Sequence, residues 1–415
     1  MIRRSLGPQL EAALGDSPVV LLHGARQTGK TTLARALGGG RYVTLDDATS
    51  LAAAIADPRG FVEQMEGRTV IDEVQRAPGL FPAIKMAVDR ERTPGRFLLT
   101  GSANVLLRPR LSESLAGRME VLTLLPLSQG EIGGVVETFV DAAFAGGRAM
   151  GSLAGIKAAD VLERALVGGY PEVVGRKDAS RRAAWFGSYL TTILQRDVRD
   201  LANVEGLTAL PRLLTMLAGR AGGLLNTSDL SRGLGLPLTT LRRYLSLLEA
   251  TFLVMRAPAW STNVGLRVVK APKVYLADTG LLSHLLGLTA ERIAAEPMLA
   301  GPLLENFVYM ELVKQARWSA ARPRVLHFRT VAGREVDFVL ENRAGEVVGV
   351  EVKASASVSA GDFRGLRALA EAAGPRMRCG VVLYAGTEIV PFGEGMWAAP
   401  VGSLWAGAST RAGPA

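Results

Sequence analysis

The sequence predicts an α/β protein built in successive parts: a parallel sheet with helices on both faces, a small helical module ending in a strand, and a second α/β domain. Three observations carry that expectation. Residues 17–37, SPVVLLHGARQTGKTTLARAL, run as an apolar strand, a glycine loop and a helix. Residues 207–256 read as three helices with a turn at Gly235 and a strand behind them. Residues 301–386 succeed one another as helix, three strands, helix and strand.

Length and composition bound the rest. A chain of 415 residues exceeds one ordinary core and divides into several domains. Its 48% hydrophobic and 21% charged content is that of a globular protein, not a disordered one. No apolar run approaches the roughly 18 residues that a membrane helix needs. The opening MIRRSLGPQLEAALGD lacks the apolar stretch of a signal peptide and reads as a first helix, with Arg3 and Arg4 as surface charge. Cys379 is the sole cysteine, which excludes an internal disulfide and a cysteine-built zinc site. His23, His284 and His327 show no ligand spacing. These features predict a reducing cytoplasm and no membrane association. The net charge of +9 favours a polyanionic partner, most simply nucleic acid, although an Arg-rich, Ala/Gly-rich composition gives the same balance.

Residues 1–130 form the expected nucleotide-binding domain, a P-loop parallel sheet. Gly24–Thr31 spells G-x-x-x-x-G-K-T between the strand Pro18–Leu22 and a helix beginning at Lys30. Such a loop lets backbone amides approach phosphates, and the helix N-terminus favours their charge. Gly24, Ala25, Arg26, Gln27, Thr28, Gly29, Lys30, Thr31 and Thr32 are therefore the expected ATP-binding residues. Lys30 would reach the β/γ-phosphates, and Thr31 would give its hydroxyl to Mg²⁺. RYVTLDD, RTVIDEVQ, RFLLTGSAN and MEVLTLLPLS supply four further strands, and ligands in such sheets gather at the C-terminal strand ends. There Asp72 is placed to hold Mg²⁺. Glu73 beside it is placed to polarise the attacking water, a role worth roughly 10²–10⁴-fold. Ser102 or Asn104 is placed to hydrogen-bond that water or the γ-phosphate.

GARQTGKTTLA, VIDEVQ, LLTGSAN and SESLAGRMEVLTLLPLS together resemble the prokaryotic AAA-family ATPases that carry a C-terminal domain of unknown function. The likeness extends over nearly the whole chain. It implies that the strand leading to Ser102 lies between the loop strand and the Asp72 strand. It implies that Asn104 or Ser102 senses the γ-phosphate. It also puts Arg118 in register with an arginine of the family's segment. In that role, in its own subunit or a neighbour's, an arginine is worth roughly 10³–10⁵ in rate; a structural or surface arginine is the alternative.

Residues 131–205 read as a helical connector. In it Trp185, Tyr189, Ile193 and Leu194 share one helical face, while Arg181, Arg182, Arg196 and Arg199, mixed with Asp197 and Asp200, read as a solvated ion-pair face. Residues 206–262 have the outline of a winged helix-turn-helix, with FLVMRAP as a wing strand. Leu238, Leu241, Leu245 and Leu248 form the buried stripe of its third helix. Thr240, Arg242 and Arg243 at the start of that helix are candidate DNA contacts; such modules also serve as rigid protein-contact surfaces. Asp278, in LADTGLL, is a helix cap.

Residues 263–400 succeed one another in the order of the PD-(D/E)XK nuclease superfamily, which they resemble, so the expected fold is restriction-endonuclease-like α/β. Period-2 alternation sets Val336, Phe338 and Leu340 on one face, with Glu335 and Asp337 on the other. It likewise projects Glu351 and Lys353 together. The turn ENRAGE can bring Asp337 beside Glu351, where two carboxylates could hold Mg²⁺ and Lys353 could orient a water. Glu305, on the preceding helix, matches the superfamily's extra acidic residue, whereas Val336 replaces its proline. Charges alternating on a solvent-facing strand are the competing account. Residues 401–415 read as a disordered tail.

The expected protein is thus a cytoplasmic, Mg²⁺-dependent ATPase that couples nucleotide state to DNA binding and to metal-dependent DNA cleavage. The alternative is a nucleotide-controlled switch whose C-terminal domain binds a protein partner and cuts nothing. Self-association into a homo-oligomer is open.

Overall fold

The computed structural model describes residues 2–102, 115–148, 150–151, 156–198 and 207–409. The chain divides into two compact units, Arg3–Pro126 with Ala250–Phe252, and Leu127–Glu249 with the chain from Leu253 onward.

The first unit is built on five parallel strands: Val19–His23 (β1), Arg41–Thr44 (β2), Thr69–Asp72 (β3), Phe97–Gly101 (β4) and Met119–Thr123 (β5). Their order is β2-β3-β4-β1-β5, so the strand leading to Ser102 lies between the loop strand and the Asp72 strand. Alternate residues feed two cores. Val19, Leu21, Ile71, Phe97 and Leu99 pack with Phe81, Ile84 and Val88 of the helix Leu80–Arg90. Val20, Leu22, Val70 and Leu98 pack with Leu33 of the helix Lys30–Leu37 and with Leu10 and Leu14 of the helix Gly7–Asp16. Covered on both faces, the central strands read as unbroken apolar runs. Each such buried side chain stabilises the fold by roughly 1.5–3 kcal/mol.

In the second unit, Val135–Glu137 (β6) leads into a helical region. Trp185 stacks on Tyr189 with centroids 5.0 Å apart. Asp278 caps the helix Thr279–Leu286, accepting from the Leu281 amide at 3.1 Å. It also accepts from the Gly169 amide at 2.7 Å, so the GGYP turn and the DTGLL segment meet on one carboxylate. Three helices, Leu210–Ala218, Thr227–Leu234 and Leu238–Ala250, follow, with the chain turning at Gly235 in the left-handed region, φ 65°. Leu241, Leu245 and Leu248 are buried and Leu238 partly so. Val254–Ala257 (β7) then pairs antiparallel with Lys273–Leu276 (β8), and Leu224 bridges to Lys273. This hairpin crosses residue 262, where the sequence suggested a boundary.

The C-terminal sheet contains Arg324–Arg329 (β9), Glu335–Glu341 (β10), Val347–Lys353 (β11), Met377–Tyr384 (β12), Val390–Pro391 (β13) and Met396–Pro400 (β14). Its order is β13-β14-β12-β11-β10-β9. The helix Ala300–Trp318 precedes β9, and the helix Arg364–Ala373 connects the parallel strands β11 and β12. The strict alternation expected on β10 fails. Its register with β9 shifts between Val336 and Val339, a bulge. Val336 packs with Leu366 and Leu369, whereas Phe338 meets Tyr275 and Tyr309, each at 5.8 Å.

The tail also departs from expectation. Residues 401–405 form a turn that buries Val401, Leu404 and Trp405, and Gly407–Ser409 (β15) pairs antiparallel with β6. Apolar burial orders this part of the tail; residues 410–415 lie outside the described residues. No helix among the described residues is long and apolar enough to cross a membrane.

Candidate functional site

The glycine loop follows β1 directly. Gly24 adopts φ 147°, and a Cβ there would lie 2.1 Å from the Leu124 carbonyl, so no other residue fits. Gly29 adopts φ 88° and starts the helix at Lys30. Lys30 is buried and donates to the Gly24 and Ala25 carbonyls at 3.0 and 2.7 Å, curled over the loop it would serve. Ala25 and Thr28 are buried, Gln27 and Thr32 are exposed, and Arg26 is half-buried.

Asp72 and Glu73 sit at the end of β3, beside the loop. The Thr31 hydroxyl donates to both Asp72 oxygens, at 3.1 and 3.2 Å. Tyr42 donates to Asp72 Oδ2 at 2.8 Å, and the Thr100 hydroxyl donates to Asp72 Oδ1. Burial and the Asp72 carboxylate together push the Tyr42 phenol up, which keeps it a donor. Glu73 adopts a left-handed backbone, φ 59°, and its amide donates to the Thr100 hydroxyl at 3.1 Å. Its carboxylate accepts from Ser102 at 3.2 Å and from Gln75. A hydroxyl and a carboxylate converging beside a lysine and a glycine loop are the oxygen donors and phosphate cradle that Mg²⁺ and a nucleotide require, so these residues fit the pair.

Arg4 lies where the sequence did not put it, and Arg118 lies away from its own chain's loop. Arg4, expected at the surface, is buried and donates to the Thr28 carbonyl at 2.6 Å and the Leu125 carbonyl at 2.7 Å. It fastens the inner side of the loop, and no local pattern in the sequence marks it. Arg118, expected either near phosphate or as a structural arginine, precedes β5, and its carbonyl accepts from Val19 at the start of β1. The loop leaves the other end of β1, so the structure separates Arg118 from its own chain's loop. Its guanidinium instead pairs with Asp89, Nη2 to Oδ2 at 3.0 Å. Asn104 lies outside the described residues.

The C-terminal residues Glu305, Asp337, Glu351 and Lys353 do come together, with an addition. Lys353 donates to Glu351 Oε1 at 2.9 Å, and the Asp337 amide donates to Glu351 Oε2 at 3.4 Å. Lys273 of β8 enters the same group, with Nζ 3.0 Å from Glu305, 2.7 Å from Glu335 and 3.0 Å from Asp337. Tyr275, two residues along β8, donates to Glu305 at 2.8 Å. Burial, then the Asp337 charge, pushes the Glu305 and Glu351 carboxyls each up to about 7. Burial alone would lower the Lys273 ammonium, but Asp337, Glu305 and Glu335 together hold it well above the usual lysine range.

Thr240, Arg242 and Arg243 lie in the first turns of the helix Leu238–Ala250; both arginines are exposed and Thr240 is half-buried.

Comparison with known proteins places the chain. Residues 16–133 match an AAA domain, and residues 158–292 and 300–404 match two domains of unknown function. An uncharacterized protein of Mycobacterium tuberculosis is 37% identical over 361 residues, 86% of this chain and 75% of that protein, and a Mycobacterium bovis protein matches equally. The chain belongs to their family. An uncharacterized protein of Haemophilus influenzae is 25% identical over 291 residues, 68% of this chain and 64% of its own. Among solved structures, a Bacillus subtilis DNA clamp loader delta protein aligns with 72% of this chain and 98% of its own. Its identity of 11% and TM-score of 0.28 carry no functional argument. The AAA match covers the parallel-sheet unit and supports an AAA-type ATPase domain in this family.

Proposed function

We propose that this chain is a Mg²⁺-dependent ATPase whose nucleotide state governs contact with DNA. The carrying observation is the meeting of Thr31 with Asp72, beside a Glu73 held by Ser102 and Gln75. In this reading the loop amides and Lys30 bind the β/γ-phosphates. Thr31 and Asp72 hold Mg²⁺, which neutralises charge on the phosphates when bound. Glu73, already fixed by two hydrogen bonds, polarises the attacking water. Arg118 takes no part in its own chain's chemistry.

The DNA contact rests on the three helices followed by a hairpin, an order that suits a winged helix-turn-helix, and on exposed Arg242 and Arg243. Coupling is supported by Phe252. It follows the helix Leu238–Ala250 and belongs to the compact unit that holds the loop. There its ring meets His23, the residue before Gly24, edge-on with centroids 5.4 Å apart. The second reading, a switch whose C-terminal domain binds protein and cuts nothing, is favoured by the lysine among the C-terminal carboxylates.

Two measurements test the proposal. Glu73→Gln lowers ATP turnover about 10²–10⁴-fold while nucleotide binding is retained. Fluorescence anisotropy with duplex DNA, with and without ATP, reads the coupling. Alanine at both Arg242 and Arg243 reduces the slope of log affinity against log salt by about 2. The coupling is wrong if DNA leaves turnover unchanged and ATP leaves DNA affinity unchanged.

A further inference from the structure

The C-terminal carboxylates resemble a metal site in everything except what stands between them. We infer that this cluster carries its own cation: the Lys273 ammonium occupies the place a divalent metal would need among Glu305, Glu335 and Asp337, and locks the cluster against metal while β8 stays in place. The inference is independent of the ATPase reading.

The valences match. A lysine ammonium has three donors and no acceptor, and Nζ of Lys273 has three carboxylates within 3.0 Å, one each from Glu305, Glu335 and Asp337. Other donors also reach these carboxylates. Asp337 Oδ2 accepts from the Val352 amide at 3.0 Å, Glu305 Oε1 also accepts from Tyr275, and Glu351 is held by Lys353 and the Asp337 amide. A Mg²⁺ or Mn²⁺ ion needs oxygen ligands on all sides at roughly 2.0–2.1 Å, and the oxygens are instead spaced around a nitrogen. Among the described residues no group of three or more His, Cys, Asp or Glu side chains is disposed to hold a metal.

The lysine is also fixed in place. Its side chain is 3% exposed, and its backbone is tied to β7 on one side and bridged to Leu224 on the other. The residues suited to a nuclease metal therefore do not fit one in this arrangement, because the tethered charge has replaced it.

The test is Mn²⁺ titration of the nucleotide-free full chain, read by the electron paramagnetic resonance signal of free Mn²⁺. Wild type and Asp337→Asn are expected to give superimposable titrations. Lys273→Met is expected to gain one Mn²⁺ per chain, and Lys273→Met/Asp337→Asn to lose it again. A wild-type Mn²⁺ site that disappears in Asp337→Asn overturns the inference, as does a folded Lys273→Met protein that gains none. Should Lys273→Met fail to fold, the wild-type and Asp337→Asn pair, which keeps Lys273, still decides: matching titrations support the lock and a lost site refutes it.

Discussion

Asp72 and Asp337 are both strand-borne carboxylates, the first buried and the second half-buried, and the chain settles them by opposite means. Asp72 is met by the hydroxyls of Thr31, Tyr42 and Thr100, neutral donors that orient its charge without cancelling it. Asp337 is met by an ammonium that also serves Glu305 and Glu335. The first arrangement leaves the carboxylate beside the glycine loop with hydroxyl partners, where a cation can join it. The second has its cation built in. The two carboxylates thus differ in the charge of their standing partners, and residue type at the two positions does not reveal that difference.

The sharpest way to break the comparison is to remove the built-in cation. Lys273→Met takes from Glu305, Glu335 and Asp337 the ammonium they share, and loss of one partner of a buried ion pair costs about 3–5 kcal/mol. Urea unfolding is expected to show a loss of that size, partly restored by millimolar Mn²⁺.

Glu137 supplies a third case, a carboxylate buried beside the carboxylate of Glu311. It accepts from the Gly130 amide at 2.9 Å, and burial, then the Glu311 charge, pushes it up to about 7. Its folded value lies above its unfolded one, so the stability it contributes is full below about pH 4.5 and is lost as pH rises through about 7. That loss amounts to roughly 3 kcal/mol. Glu137→Gln is expected to remove this part of the pH dependence in unfolding measured from pH 4 to pH 8.

The smallest effect is expected at Asp72. An asparagine keeps one acceptor oxygen and turns the other into an amide donor, to which a hydroxyl can accept by rotating its proton, so Asp72→Asn shifts stability by about 1 kcal/mol. The same substitution is expected to abolish ATP turnover. A large loss of stability there would mean that the carboxylate is structural.

The nucleotide site was the more legible of the two because its chemistry is local. The loop, the helix at Lys30 and the Asp72–Glu73 strand end each lie within a few residues of their own signals, and the strand order came from the resemblance to the AAA-family ATPases. Glu351 and Lys353 were legible for the same reason, since a two-residue spacing puts both on one side of β11. Lys273 was not. It lies 64 residues before Asp337 and meets it only through packing of the hairpin. The faint signal available was its alternation with Tyr275 on one short strand. Arg4 was illegible on similar grounds, its partners being the Thr28 carbonyl and a Leu125 carbonyl 121 residues away. Arg118 was left open between a phosphate role and a structural one because sequence register says nothing about which end of a strand a residue occupies. The bulge in β10 broke an alternation that a seven-residue strand made look secure.

The most direct test counts divalent ions with nucleotide present. Mn²⁺ is titrated into the full chain saturated with a non-hydrolysable ATP analogue, and bound Mn²⁺ is read by electron paramagnetic resonance. The account predicts one Mn²⁺ per chain, lost in Asp72→Asn and kept in Asp337→Asn. A second Mn²⁺ in the wild-type chain, or a single one that survives Asp72→Asn and disappears in Asp337→Asn, would contradict it.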